Sequence, residues 1–218
     1  MLEKFSDCRA VVCDLDGTLY LSGIPIPGAR DFLHRVLDSG RRLFYFTNNS
    51  SKSRSTYLER LEHLGFPAND DNLITSTDCA VGYMQRHGIG PALYALGNTD
   101  LLAELRTRGF ACLGESDVTS GRRPDAVLLA FDTDLTYEKI CRAYDLLVDD
   151  VPYLATHADL LCPVENGRFK PDVGSFISLF ETATGGRRPT VLGKPAAEAV
   201  NAICDRAEQP PERIAFVG

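Results

Sequence analysis

Apolar and polar positions along this chain of 218 residues follow two alternating patterns. Ala10-Val11-Val12-Cys13 is a short, uninterrupted apolar run, as expected of a strand buried on both faces in a parallel sheet. Residues 28–39 then carry Phe32, Leu33, Val36 and Leu37 at helical spacing, with Gly40 placed to end the helix. Leu43-Phe44-Tyr45-Phe46 repeats the strand pattern, and residues 53–64 repeat the helical one up to Gly65. The order restarts beyond residue 77: helices over 78–87, 99–108, 136–148, 173–182 and 196–207, and strands over 92–96, 126–131, 153–156, 190–192 and 214–217. Thr136 is placed to cap the third of these helices, with Glu138 in its first turn, where a negative charge suits the helix dipole. Strands alternating with helices through short connections predict an α/β fold with parallel sheet wrapped by helices.

Punctuation marks two candidate joints. One lies near residues 75–78; the other is the Gly-Gly-Arg-Arg-Pro-Thr run at 185–190, where Gly and Pro together favour a linker. No internal repeat or low-complexity stretch interrupts the pattern.

Composition narrows the class. Hydrophobic residues make up 44% and charged residues 24%, enough apolar material for a sizeable core. The formal net charge of −7 gives no overall field favouring nucleic acid, so an anionic ligand needs a local cationic site. The pairs Arg122-Arg123 and Arg187-Arg188 sit beside Gly and Pro and read as solvated turns. Seven scattered cysteines without a CxxC pair fit reduced thiols in a cytosolic protein, not a disulfide framework or zinc. No window approaches the ~20 apolar residues that span a bilayer, and the first residues lack a signal-peptide pattern. The expected location is cytoplasmic, with neither membrane nor nucleic acid as partner.

The chemistry concentrates at the end of the first strand, in Cys13-Asp14-Leu15-Asp16-Gly17-Thr18. Residues two apart on a strand share a face, so Asp14 and Asp16 are expected to point toward one site at the strand's C-terminal end, where open α/β sheets place ligands. Two crowded carboxylates repel unless a cation or proton compensates. A hard divalent ion such as magnesium is the natural partner. The calcium-binding EF-hand also begins Asp-x-Asp, but its sixth position requires Gly and holds Leu19, and its twelfth requires Glu and holds Pro25. Thr47-Asn48-Asn49-Ser50, directly after the second strand, offers small hydrogen-bonding side chains to phosphate oxygens, though the same residue types also serve as helix caps. Lys194, between Gly193 and Pro195, can offer a point charge to phosphate, or can simply face solvent. His34, His63 and His87 read as surface residues, and Cys13 as packed behind the strand.

These three features, in this order and each at a strand end, resemble the haloacid dehalogenase superfamily. The Asp14–Thr18 run matches its first motif, Thr47-Asn48 its second and Lys194 its third. The intervening segment is similar to the superfamily's C2-type cap. Ala130-Phe131-Asp132 followed by Leu135-Thr136-Tyr137-Glu138-Lys139 resembles the subgroup of NagD-like, phosphoglycolate, pyridoxal and p-nitrophenyl phosphatases. The resemblance implies a Rossmann-like parallel-sheet core over residues 1–76 and 189–218, interrupted by an α/β cap over 77–188.

The function so implied is magnesium-dependent hydrolysis of small-molecule phosphate monoesters. Asp14 would be the nucleophile, forming an aspartyl-phosphate, and Asp16 the general acid and then base. Both aspartates would serve the metal. Thr47, Asn48 and Asn49, with Gly17 and Thr18, would hold the phosphate, and Lys194 would balance its charge. His157 and Asp159, standing where subgroup members often carry Asn-Pro-Asp, are candidates to face the substrate. Sugar phosphates, nucleoside monophosphates, phosphoglycolate and pyridoxal phosphate all suit a cap of this size, and the cap is also a candidate surface for a homodimer. The superfamily's fourth motif should begin at Gly218, where the chain stops, so the next metal-binding acid is missing from it. The expectation is then either a fragment of a longer protein or a defective enzyme, down to a phosphate-binding domain without turnover.

Overall fold

The computed structural model describes residues 7–21, 23–164 and 168–218. Two compact units emerge, one comprising Met1–Thr47, Arg54–Thr75 and Ala199–Gly218, the other Asn48–Ser53 and Ser76–Glu198.

The first unit is built on a four-stranded sheet in the order β13-β1-β4-β5, formed by β1 (Ala10–Asp14), β4 (Arg42–Thr47), β5 (Leu73–Thr75) and β13 (Ile214–Val217). Every pairing is parallel. β1 lies inside the sheet, so its first four residues are all buried, which is why it reads as a continuous apolar run and not as an alternation. Between β1 and β4 run a small antiparallel hairpin, β2 (Tyr20–Leu21) with β3 (Ile24–Pro25), and helix α1 (Ala29–Asp38). Helix α2 (Arg54–His63) precedes β5. Leu15, Leu33, Tyr45, Leu61 and Leu73, all fully buried, close the core.

The second unit holds a five-stranded sheet in the order β12-β9-β8-β6-β7. Its strands are β6 (Ala92–Leu96), β7 (Ala111–Cys112), β8 (Ala126–Leu129), β9 (Tyr153–Ala155) and β12 (Thr190–Val191), again all parallel. The helices between them are α3 (Ser76–Arg86), α4 (Thr99–Thr107), α5 (Glu115–Thr119), α6 (Tyr137–Val148) and α7 (Val173–Thr184). A second hairpin, β10 (Leu161–Val164) with β11 (Arg168–Pro171), leads into α7. Tyr94, Leu96, Leu129, Leu146, Leu147 and Phe180 form this unit's core. Helix α8 (Ala197–Ala207) then carries the chain to β13.

The fold is α/β with parallel sheets, as the alternating pattern predicts. The long elements lie within two residues or so of their expected positions. Absent from the expectation are both hairpins, β5, β7 and α5, each five residues or fewer per element, too short to show a period. The cysteines stand as free thiols. Among the described residues no helix is long and apolar enough to cross a membrane.

Candidate active site

In the first unit, β1 delivers Asp14 as its last residue. Cys13, one position earlier, is fully buried on the opposite side, as strand alternation requires. Burial, and after it the Asp14 charge, pushes the Cys13 thiol up to about 12. The two faces of this strand end are therefore chemically distinct: a neutral thiol inside and a carboxylate on the ligand side.

Asp16 arrives by a different route from the one expected. The strand ends at Asp14 and the chain turns, with the Gly17 N–H bonded to the Tyr20 carbonyl at 2.8 Å and the Thr18 N–H to the Leu15 carbonyl at 3.2 Å. Gly17 has φ +84°, a left-handed value that costs glycine little. Turn geometry, not strand alternation, thus sets the direction of Asp16. Each carboxylate has a local donor: the Thr18 hydroxyl reaches Asp14 Oδ2 at 3.2 Å and the Tyr20 hydroxyl reaches Asp16 Oδ2 at 3.3 Å. Burial first, and then the Asp16 charge, raises the Tyr20 pKa, so the phenol stays protonated and remains a donor. Thr47 ends β4, buried, opposite Thr75 of β5.

The acid side chains at this strand end offer oxygen donors only, the chemistry that a hard divalent cation prefers. Among the described residues no group of three His, Cys, Asp or Glu side chains gathers around one point. The oxygen donors of Asp14 and Asp16 are of the kind that fits magnesium.

In the second unit, Asn48, His157, Asp159 and Lys194 come together around Gly193. The pairing of β12 with β9 continues beyond the strand: Leu192 N–H donates to the Ala155 carbonyl at 3.0 Å and Gly193 N–H to the Thr156 carbonyl at 2.7 Å. A Cβ on Gly193 would lie 2.7 Å from Asn48 Oδ1 and 3.2 Å from His157 Cβ, so the close approach requires glycine. Asn48 Oδ1 accepts from the Lys194 N–H at 2.9 Å. Its Nδ2 donates to the Lys194 carbonyl at 3.1 Å and to Asp159 Oδ2 at 3.0 Å. The Ser76 hydroxyl holds the Asn48 carbonyl at 2.6 Å.

Two candidate residues are engaged elsewhere than expected. His157 is fully buried, its Nε2 3.0 Å from Asp172 Oδ1 and its Nδ1 3.0 Å from Thr156 Oγ1. Both ring nitrogens are thus engaged, Nε2 with the Asp172 carboxylate and Nδ1 with the Thr156 hydroxyl. The imidazole ties β9 to the N-cap of α7 and presents neither nitrogen outward. Asn49 Oδ1 accepts from the Ser51 N–H at 2.9 Å and the Ser51 hydroxyl at 2.8 Å, a side-chain-closed turn. Asp159, by contrast, is exposed. His34, His63 and His87 are exposed as well.

A buried support, not anticipated as such, surrounds this cluster. Ser50 lies 3.3 Å from the Thr156 hydroxyl and accepts from the Phe131 N–H at 3.0 Å. Asp132, buried, pairs with Lys139 Nζ at 2.8 Å and accepts from the Asp134 N–H at 2.8 Å. The sequence marks Ser50 only as part of a run suited to phosphate, and Asp132 and Lys139 only through the subgroup resemblance; Asp172, ahead of an apolar helix, is a residue type suited to capping, and Thr156 carries no signal.

Comparison with known proteins follows the same lines. A profile of the family described as haloacid dehalogenase-like hydrolase matches residues 11–111. A glycerol-3-phosphate phosphatase from Gallus gallus is 34% identical over 222 residues, spanning 94% of this chain and 71% of its own. The structure of a 4-nitrophenylphosphatase from Thermotoga maritima superposes with a TM-score of 0.88 at 32% identity, covering 98% of this chain and 78% of the other. That of a glycerol phosphate phosphatase from Mycobacterium tuberculosis in complex with magnesium gives 0.82 at 26% identity, covering 97% and 61%.

Proposed function

The chain belongs to the haloacid dehalogenase-like hydrolases and is a phosphatase of that type, and from this premise we propose that it hydrolyses small phosphate monoesters with magnesium, using Asp14 as nucleophile. The observation that carries the reading is the end of β1, where Asp14 and Asp16 are set by a strand terminus and a glycine turn, each carboxylate accepting from a neighbouring hydroxyl.

An Asp14 oxygen attacks phosphorus in line with the leaving oxygen, which departs as the P–O ester bond breaks. Asp16 gives that oxygen its proton, leaving an alcohol and an aspartyl-phosphate on Asp14. Asp16, now a carboxylate, takes a proton from the water that attacks phosphorus and regenerates Asp14. The Tyr20 hydroxyl orients Asp16 for both transfers. Thr47 and the backbone at Asn48 serve the phosphate, and Lys194 offsets its charge. Asp14 through its carboxylate and Asp16 through its backbone carbonyl would hold magnesium, which supplies neutralisation of phosphoryl charge when bound. Most of the catalytic effect in such a transfer comes from positioning and charge compensation.

Relatives named for glycerol phosphate and 4-nitrophenyl phosphate support a small monoester as the substrate class. Asp14→Asn keeps the shape of the side chain and removes its nucleophilic oxygen. Turnover of 4-nitrophenyl phosphate with magnesium is expected to fall at least about 10³-fold, the loss typical of a removed nucleophile. Retained activity would remove Asp14 from the role.

A further inference from the structure

Asn48 sits in the run of residues suited to phosphate, yet its carboxamide is committed elsewhere. Oδ1 receives the N–H of Lys194 at 2.9 Å, and Nδ2 serves both the carbonyl of that same residue at 3.1 Å and the Asp159 carboxylate at 3.0 Å. Only one orientation of the amide satisfies these partners. An N–H must meet oxygen, and a carbonyl and a carboxylate must both meet NH₂. One side chain therefore grips both backbone polar groups of a single residue, much as a neighbouring strand would. The residue before Lys194 is pinned as well, through Gly193 N–H to the Thr156 carbonyl at 2.7 Å. Gly193 also leaves no room for a Cβ between that carbonyl and Asn48 Oδ1. Asn48 itself is fixed through its own carbonyl by Ser76 at 2.6 Å.

We propose that the Asn48 side chain is a positioning residue for Lys194, clamping its backbone so that the ammonium is presented to the substrate phosphate, and that the carboxamide itself does not touch the phosphate. This rests on the reading of Lys194 as the cation that serves the phosphate. A lysine is a point charge on a flexible stem, so where its Cα sits decides where the charge is centred. Misplacing a charged group by about 1 Å is enough to cost a large part of its effect. The Asp159 carboxylate strengthens the clamp, because an amide donor facing an anion makes a shorter and stronger bond than one facing a neutral acceptor.

The test is a double-mutant cycle on Asn48→Ala and Lys194→Ala. It is read through the affinity for inorganic phosphate in the presence of magnesium, measured by calorimetry, and through turnover of 4-nitrophenyl phosphate. Phosphate affinity can be read even where turnover is lost. Asn48→Ala is expected to weaken phosphate binding about tenfold, and the double variant is expected to lie within about twofold of Lys194→Ala alone, because a clamp has nothing left to position. Losses that multiply would mean that Asn48 acts independently of Lys194, and the clamp would be overturned while Lys194 kept its role. A Lys194→Ala variant with parent-like phosphate affinity and turnover would overturn the assignment of Lys194, and the clamp with it. Should Asn48→Ala not fold, Asn48→Asp carries the same cycle. It is nearly isosteric and still accepts from the Lys194 N–H, but opposes the Lys194 carbonyl and Asp159 with a carboxylate.

Discussion

Cys13 and Asp14 are adjacent on one strand and live in opposite chemical environments. The thiol faces the core, where burial, reinforced by the Asp14 charge, lifts it to about 12; Cys79, buried beside Asp78, is lifted to about 12 in the same order of causes. A thiol ionises in the unfolded chain near 9.0, so from there upward the unfolded state binds fewer protons than the folded one. The stability contribution is complete below that pH and is lost as pH rises toward the folded-state value. Chemical denaturation between about pH 9 and 11 should show the parent losing up to about 1.4 kcal/mol per pH unit more than Cys13→Ala. Parallel pH profiles for the two proteins would show that the thiol is not held neutral. The same burial keeps Cys13 out of the chemistry, since only a thiolate is a competent nucleophile.

Helix ends decide much at the scale of elements. Thr136 lies just before α6, and its hydroxyl oxygen accepts from the Lys139 N–H at 3.2 Å, one of the donors a helix start leaves unsatisfied. Thr136→Ala should destabilise the protein by about 1 kcal/mol, seen as a lower urea midpoint with unchanged slope; an unmoved midpoint would show that water replaces the cap. Asp172 caps α7 in a similar way, accepting from the Val173 N–H at 2.7 Å, but its carboxylate also holds His157. A cap and a buried hydrogen bond thus share one side chain, which couples α7 to the end of β9. Lys139 illustrates a further use of a helix start: from the first turn of α6 it reaches back to the buried Asp132 and closes the loop after β8.

Two parallel sheets, each in its own unit, account for the whole molecule's pattern of short apolar strands and intervening helices. With a formal net charge of −7, the protein as a whole repels a phosphate ester, so binding depends on charge compensation at the site. Two aspartates at the end of β1 deepen that local negative potential, which a divalent cation reverses. A chelator should lower hydrolysis of 4-nitrophenyl phosphate at least about 10²-fold, with recovery on adding excess magnesium, the scale expected when several kcal/mol of transition-state charge stabilisation is removed. Full activity in the chelator would sink magnesium dependence for this chain.

The α/β class, the order of the long elements and the first motif were all present in the sequence, because buried parallel strands and amphipathic helices each write a period into the chain. Side-chain alternation also placed Cys13 behind the strand without a structure. Asp16 is legible as a residue but not as a direction, since β1 ends at Asp14 and a turn with Gly17 at positive φ sets its facing. The fates of Asn48, Asn49 and His157 were decided only in three dimensions. A polar side chain near a phosphate motif looks the same in sequence whether it meets a ligand, as Thr47 is proposed to, or a backbone, as Asn48 does at Lys194, 146 residues away. Hydrogen-bond partners so distant along the chain leave no periodic signal; the fold of the second unit chooses them when it brings Asn48 to the ends of β9 and β12.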